Sequence, residues 1–173
     1  MHAVRLYPAY HQYRFDLPEL AALLEDATRR HLIVQISLDL EDPRVHHPAL
    51  NLAPIDITPL AGTLRRVPAA RVQLLNGLTA LQQGGTRELL AETAVRFDIA
   101  NLEGTGAIGR LIAGKHWSLK AQVPLARLLF GSHAPFFPFE AALLRLFESP
   151  LTRDEMLALM SGNATTWQEQ RGS

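Results

Sequence analysis

The stretch RLLFGSHAPFF, residues 127–137, decides how this chain is read. Leu128-Leu129-Phe130 is a short run of large apolar residues, and Gly131 bounds it. Such a run reads as an interior strand of a parallel sheet, covered on both faces. Ser132, His133 and Pro135 follow at once. In α/β sheets, functional groups collect just past the carboxyl ends of the strands. His133 stands at such a place and is the first candidate for a catalytic or metal-binding role.

Working outward, four earlier segments have the same strand character. They are Ala3–Tyr7, Leu32–Leu38, Arg71–Leu75 and Ala94–Ala100. Helical signals lie between them. Asp16 with Glu19 reads as a capping box, and Leu20, Leu23, Leu24 and Ala27 follow at helical spacing. Short helices are expected within 57–66, after Thr86, and over 105–112 with Gly114 as the stop. A helix is expected from about Phe139 to Phe147, packed through Ala142, Leu143, Leu146 and Phe147. A last helix opens on Thr152 with Glu155 as its capping-box partner, and Gly162 is its expected end. Residues 168–173 read as a frayed tail on a single domain, 1–173. Five short strands alternating with helices predict an α/β fold with parallel strands and right-handed crossovers.

Composition narrows the function. Lys+Arg and Asp+Glu balance at 17 each, and no basic stripe with interleaved aromatics occurs, which argues against a nucleic-acid partner. No apolar run approaches the roughly 18 residues of a membrane span, and the first residues lack a signal peptide's apolar core. The chain has no cysteine, which excludes disulfides and thiolate sites and fits a cytoplasmic protein. Neither GxGxxG nor a P-loop is present, so nucleotide binding has no motif behind it.

The segment RLLFGSHAPFFPFEAALLRL followed by LTRDEMLALMSGNA resembles the end of the amidohydrolase-related family, in its aminocarboxymuconate-semialdehyde decarboxylase-like branch. It looks like that family's last barrel strand, final helix and closing Asn-Ala pair, here Asn163-Ala164. AVRLYPAYHQYRFDLPELAALLEDA looks like the fourth strand and helix; LIVQISL, RVQLLNG and AVRFDIANLEG fall where strands five to seven would. The resemblance implies a partial (β/α)8 TIM-type barrel, about five parallel strands with flanking helices, without counterparts of strands one to three. It implies an amino-terminally truncated barrel or a fragment. It also implies a divalent metal such as zinc, held by histidines after strands one, five and six and an aspartate after strand eight. The matching positions here are Ser37 at strand five, Asn76 at strand six and His133 at strand eight, while strand one is absent. Ser and Asn are weak zinc ligands, so the resemblance implies hydrolase-like ancestry with the usual metal ligands largely lost.

The candidate catalytic residues are His133, Asp98 and His11. An acid inside a buried strand is costly unless paired, so Asp98 needs a partner or a place in the barrel mouth. His11, between Tyr10 and Tyr13, is a base, a substrate contact or a structural group. The candidate substrate-binding residues are Tyr10, Ser37, Arg44, Asn76, Glu103 and Phe136. In LEDPR, Asp42 and Arg44 read equally as an ion-paired turn and as a carboxylate clamp. Glu103 has the reach for acid/base work or is solvated. Phe136, Phe137 and Phe139 wall a pocket or pack under the last helix, the core role being favoured. His46-His47 reads as a solvated loop, His2 and His31 as exposed, and His116-Trp117 as a connector without a companion signal. Ser132 lacks a nucleophile-elbow context. Three functions follow: a hydrolase or decarboxylase on a small molecule, a catalytically inactive binding or regulatory protein, or a fragment. Open barrel edges predict self-association or a complementing chain.

Overall fold

The computed structural model describes residues 2–39, 47, 52, 55–78, 85–119 and 121–169. The chain divides into two compact units, residues 1–95 and 96–173.

The first unit runs β1 (Ala3–Leu6), α1 (Pro8–His11), α2 (Pro18–Arg29), β2 (Ile33–Ser37), α3 (Leu60–Arg66), β3 (Arg71–Leu75) and α4 (Thr86–Glu92). β1 pairs with β2, and β2 with β3, both in parallel. The register Val4↔Val34↔Val72 and Leu6↔Ile36↔Leu74 puts β-branched and aliphatic residues on one face. Val34, Ile36, Val72 and Leu74 are buried there, as are Leu20, Leu24 and Ala27 of α2 and Leu60, Ala61 and Leu64 of α3. Burying each of the larger side chains contributes roughly 1.5–3 kcal/mol. The other face carries a polar row. Arg5 Nη2 donates to Gln35 Oε1 at 2.8 Å, and Gln35 Nε2 donates to Gln73 Oε1 at 2.9 Å. These three residues are in register across the strands. By the period of two, Ser37 stands on this same polar face at the carboxyl end of β2.

Pro8 starts the short helix α1 directly after β1. One local expectation changes. The capping box at Asp16 does not form. Pro18 fits the first helical turn, so Leu17 becomes the N-cap with no side-chain bond. Asp16 lies outside the helix, and its Oδ1 accepts from Arg14 Nε at 3.0 Å.

The second unit runs β4 (Arg96–Asp98), α5 (Ala107–Ile112), a 3-10 turn at Leu125–Arg127, β5 (Leu128–Leu129), α6 (Phe139–Phe147) and α7 (Arg153–Leu157). A π-helical turn at Ala158–Gly162 and α8 (Asn163–Glu169) follow. β4 and β5 are parallel, Phe97 opposite Leu128 and Asp98 opposite Leu129. Ile99 N–H extends the ladder to Leu129 C=O at 3.1 Å. β5 ends one residue earlier than its apolar run, because Phe130 N–H donates to Leu159 C=O at 3.2 Å instead. Gly114 (φ +67°) does end α5: Lys115 N–H reaches Arg110 C=O at 2.8 Å and Gly114 N–H reaches Leu111 C=O at 3.2 Å. The Thr152 box forms in both directions.

Gly162 does not end the last helix. The wide π turn carries the chain through it into α8, which continues to Glu169, into the stretch expected to fray. The π turn delivers Asn163 to the base of β5. Asn163 Nδ2 donates to Leu125 C=O and Leu128 C=O, both at 2.8 Å. Arg96 Nη1 donates to Ala126 C=O at 2.9 Å and Asn163 C=O at 3.1 Å, with its guanidinium 4.9 Å from the centre of the buried Trp167 ring. Phe147, expected in the core, is 58% exposed, as α6 buries Ala142 and Leu146 instead.

Asn163→Ala removes a side-chain donor from the Leu128 and Leu125 carbonyls, Leu125 keeping the Leu128 N–H, and is expected to cost about 1–3 kcal/mol in urea unfolding. Thr152→Ala, which removes only a solvent-facing cap, is expected to cost about 1 kcal/mol. An Asn163→Ala cost no larger than that of Thr152→Ala would refute the clamp.

Candidate functional site

In the first unit, the strand ends carry Ser37 and Asn76, both buried. Ser37 Oγ donates to Asp39 C=O at 3.0 Å, and Asn76 Nδ2 donates to the same oxygen at 2.7 Å. Leu38 N–H adds a bond to Leu75 C=O at 3.1 Å. Asn76 takes a left-handed backbone (φ +55°), which asparagine tolerates and which turns the chain out of β3. A carbonyl has two lone pairs, so two donors fill the Asp39 oxygen. Ser37 and Asn76 thus form a latch between the ends of β2 and β3.

Tyr10 and His11 lie on α1 and are exposed. His11 and Tyr13 approach with ring centroids 6.4 Å apart. The Tyr13 hydroxyl is buried without a hydrogen-bond partner among the described residues. Burial pushes its pKa up to about 12. His47 is exposed. Arg44, with Glu41, Asp42 and His46, lies outside the described residues.

The second unit brings the decisive stretch together with Asp98. Asp98 is the last residue of β4 and is 7% exposed. It meets Gly131, just past β5, so closely that a Cβ on Gly131 would lie 2.9 Å from Asp98 Cβ and 3.1 Å from Oδ2. The glycine that bounds the apolar run is therefore the gap into which a carboxylate fits. Beyond it the chain folds into a compact turn. Ser132 Oγ accepts from Ala134 N–H at 3.3 Å, and His133 C=O accepts from Phe136 N–H at 3.0 Å and Phe137 N–H at 3.2 Å. His133 has φ +56°, and Ala134–Pro135 is a cis peptide. The His133 ring lies 5.3 Å from the rings of both Phe136 and Phe137. Phe136 is 60% exposed, and Phe139 is exposed too, so the favoured core role of these phenylalanines is overturned. Phe139 makes an edge contact with Phe130 at 5.7 Å.

Arg145 is a residue the sequence reading missed. It reaches from α6 to the end of β4, where Nη1 donates to Ala100 C=O at 2.6 Å and Ile99 C=O at 3.4 Å. Burial lowers its pKa, and the charge of Glu103 opposes that shift. Glu103 is itself exposed, on the loop beyond β4. A lone arginine inside the apolar run LLRLF was the available signal.

Among the described residues no group of three or more His, Asp and Glu side chains is placed to hold a metal ion. Ser37 and Asn76 each aim a donor at the Asp39 carbonyl, and a neutral hydroxyl or amide is a weak zinc ligand. The described residues do not fit the metal that the family resemblance implies.

The elements define a class: an α/β protein whose five strands, parallel within each unit and flanked by helices, form part of a (β/α)8 barrel. Solved structures bear this out. An uncharacterised TIM-barrel protein from Bordetella bronchiseptica superposes with a TM-score of 0.67 at 18% identity, over 99% of this chain and 58% of its own. A dihydroxybenzoic acid decarboxylase from a Polaromonas species, with bound manganese and the inhibitor 2-nitroresorcinol, gives 0.65 at 13% identity, over 92% and 56%. The 5-carboxyvanillate decarboxylase from Sphingomonas paucimobilis gives 0.62 at 12% identity, over 98% and 58%. This chain therefore spans under two thirds of the length of these barrels. No protein-family model matches the chain, and no curated protein matches it by sequence. The likeness carries the resemblance to amidohydrolase-type barrels to the level of the fold. No helix among the described residues is long and apolar enough to cross a membrane.

Gly131→Ala is expected to cost about 1–3 kcal/mol through overpacking. The cost should shrink in an Asp98→Gly background, which removes the Cβ as well as the carboxyl atoms near that position. Equal costs in both backgrounds, by urea unfolding, would mean the two positions are uncoupled. A second outcome concerns Tyr13. Its protonated form is the one the fold favours, so stability falls as pH rises from the ordinary 10 toward about 12. Absorbance titration of tyrosinate should show one late phase, absent in Tyr13→Phe; a late phase that survives Tyr13→Phe contradicts the assignment.

Proposed function

We propose that this chain is an amidohydrolase-like hydrolase or decarboxylase acting on a small organic molecule, with its site at the carboxyl ends of the strands. One observation carries the reading: a buried carboxylate, Asp98, seated against Gly131, with His133 two residues further on beside two aromatic rings. In this reading Asp98 orients the substrate or a water by accepting a hydrogen bond. His133 moves the proton, as histidine is the side chain most often used for general acid–base work. Phe136 covers the substrate, and Glu103 supplies a second carboxylate at the rim. Arg145 fixes the backbone beyond Asp98. No step is routed through a metal. The chain's lack of cysteine supports a cytoplasmic setting.

A second reading, a binding protein without turnover, draws support from the latch at Ser37 and Asn76, whose donors are already engaged. Under either reading the exposed Phe139, Leu144 and Phe147 of α6 support self-association or a complementing chain.

The names of the decarboxylase neighbours make 2,6-dihydroxybenzoate and 5-carboxyvanillate the first substrates to try, with esters, lactones and amides alongside. Turnover is expected, with losses on the order of 10²–10⁴ in both Asp98→Asn and His133→Ala. Elemental analysis of the purified protein accompanies the assay. A ligand that raises Tm without turnover would favour the binding reading. No turnover with or without added divalent metal, and no ligand that shifts Tm, would refute both.

A further inference from the structure

His116 and Trp117 lie outside the site described above, in the connector between α5 and β5. His116 is 9% exposed, while its neighbour Trp117 is 58% exposed. The two rings stack with centroids 4.2 Å apart at 28°. His116 Nδ1 is ringed by donors: Ser118 N–H at 3.4 Å, Leu119 N–H at 3.3 Å and the Ser118 hydroxyl at 3.2 Å. Backbone N–H groups can only donate, so Nδ1 must be the unprotonated nitrogen, and Nε2 carries the hydrogen. Nε2 is buried with no partner among the described residues. The imidazole is therefore held neutral by geometry. A proton added at Nδ1 would face two amide hydrogens.

The stacked Trp117 ring reaches the loop beyond β4. A Cβ on Gly104 would lie 2.8 Å from Trp117 Cζ2 and closer still to Cη2, and Gly104 has φ +97°. The outer edge of the indole thus abuts a position that only glycine can fill. Gly104 follows Glu103 directly and stands six residues beyond Asp98.

We propose that His116 and Trp117 form an acid-released clasp on the 101–106 loop. At neutral pH the unprotonated His116 accepts the Ser118 and Leu119 amides and holds the connector in the turn that presses Trp117 onto Gly104. Protonation breaks those bonds, frees Trp117 and loosens the loop that bears Glu103. The charged groups around His116 oppose the proton. Arg110 on α5 lowers the pKa, after the larger effect of burial, and Lys115 is the neighbouring residue in the chain. Lys120 lies outside the described residues. The fold favours the neutral ring, so the stability it lends is present above the ordinary imidazole value of 6.5 and is lost as pH falls below it.

The clasp does not depend on catalysis, and neither does its test, which is hydrogen exchange of the 101–106 amides at pH 7.5 and 5.0, corrected for intrinsic rates. The unsubstituted protein should be protected at pH 7.5 and exchange several-fold faster at pH 5.0. His116→Asn keeps an acceptor near the Nδ1 position and cannot titrate, so it should stay protected at both. Trp117→Ala should exchange fast at both. Equal rates for the unsubstituted protein and His116→Asn at pH 5.0, or full protection in Trp117→Ala, would overturn the proposal. Should His116→Asn fail to fold, carbon-13 NMR of the histidines in the unsubstituted protein decides instead. The His116 titration must then share its midpoint with the shift of the Trp117 indole N–H, and separate midpoints refute the clasp.

Discussion

The contact between Asp98 and Gly131 is the constraint on which the candidate site depends. A side chain buried at the end of a strand needs room beside the adjacent strand. Here the position next to it, Gly131, has no side chain at all. Any other residue at 131 would collide with Asp98 or force β4 and β5 apart at their carboxyl ends. Everything beyond Gly131 then follows in a fixed order: the Ser132 turn, His133 in a left-handed conformation, and two phenylalanine rings around it. The site is thus built from the backbone geometry of a strand end more than from long side chains reaching across a cavity.

The helices answer to the same strand ends. Arg145 ties α6 to the carbonyls just beyond Asp98, and Asn163 ties the last helix to the carbonyls at the start of β5. One strand is therefore held at its base and the next beyond its carboxyl end, by two side chains with different chemistry. Asn163 supplies a neutral amide to two carbonyls. Arg145 brings a charge into a half-buried place, where its pKa is lowered by lost solvation. The π turn before Asn163 is the local device that aims the amide. Such turns are rare and usually mark a site where the helix must rotate one residue out of phase.

Much of this was legible in the residues. The apolar runs at β2, β3 and β5 placed the strands, because large aliphatic residues dominate them even where Gln35 and Gln73 make one face of β2 and β3 polar. Thr152 with Glu155 marked a helix start because both reciprocal bonds are local. Other features were not legible because they depend on distant partners. Asp16 with Glu19 has the same pattern as Thr152 with Glu155, but Pro18 moved the helix start past it. Gly162 looks like a stop, yet the tertiary bonds of Asn163 carry the helix through. Ser37 and Asn76 read as positions in a ligand set, whereas both donate to one carbonyl of Asp39. His116 and Trp117 had no sequence companion because Trp117's partner, Gly104, is thirteen residues upstream of it and identifiable only from its conformation.

The account claims that small molecules engage this protein at the carboxyl ends of β4 and β5. The most direct measurement is amide chemical-shift mapping on the isotope-labelled chain during titration with small carboxylic acids, esters and amides. The account predicts shifts concentrated in residues 98–103 and 131–137, saturating with ligand. Saturable shifts that fall elsewhere and leave those two segments unmoved would contradict it.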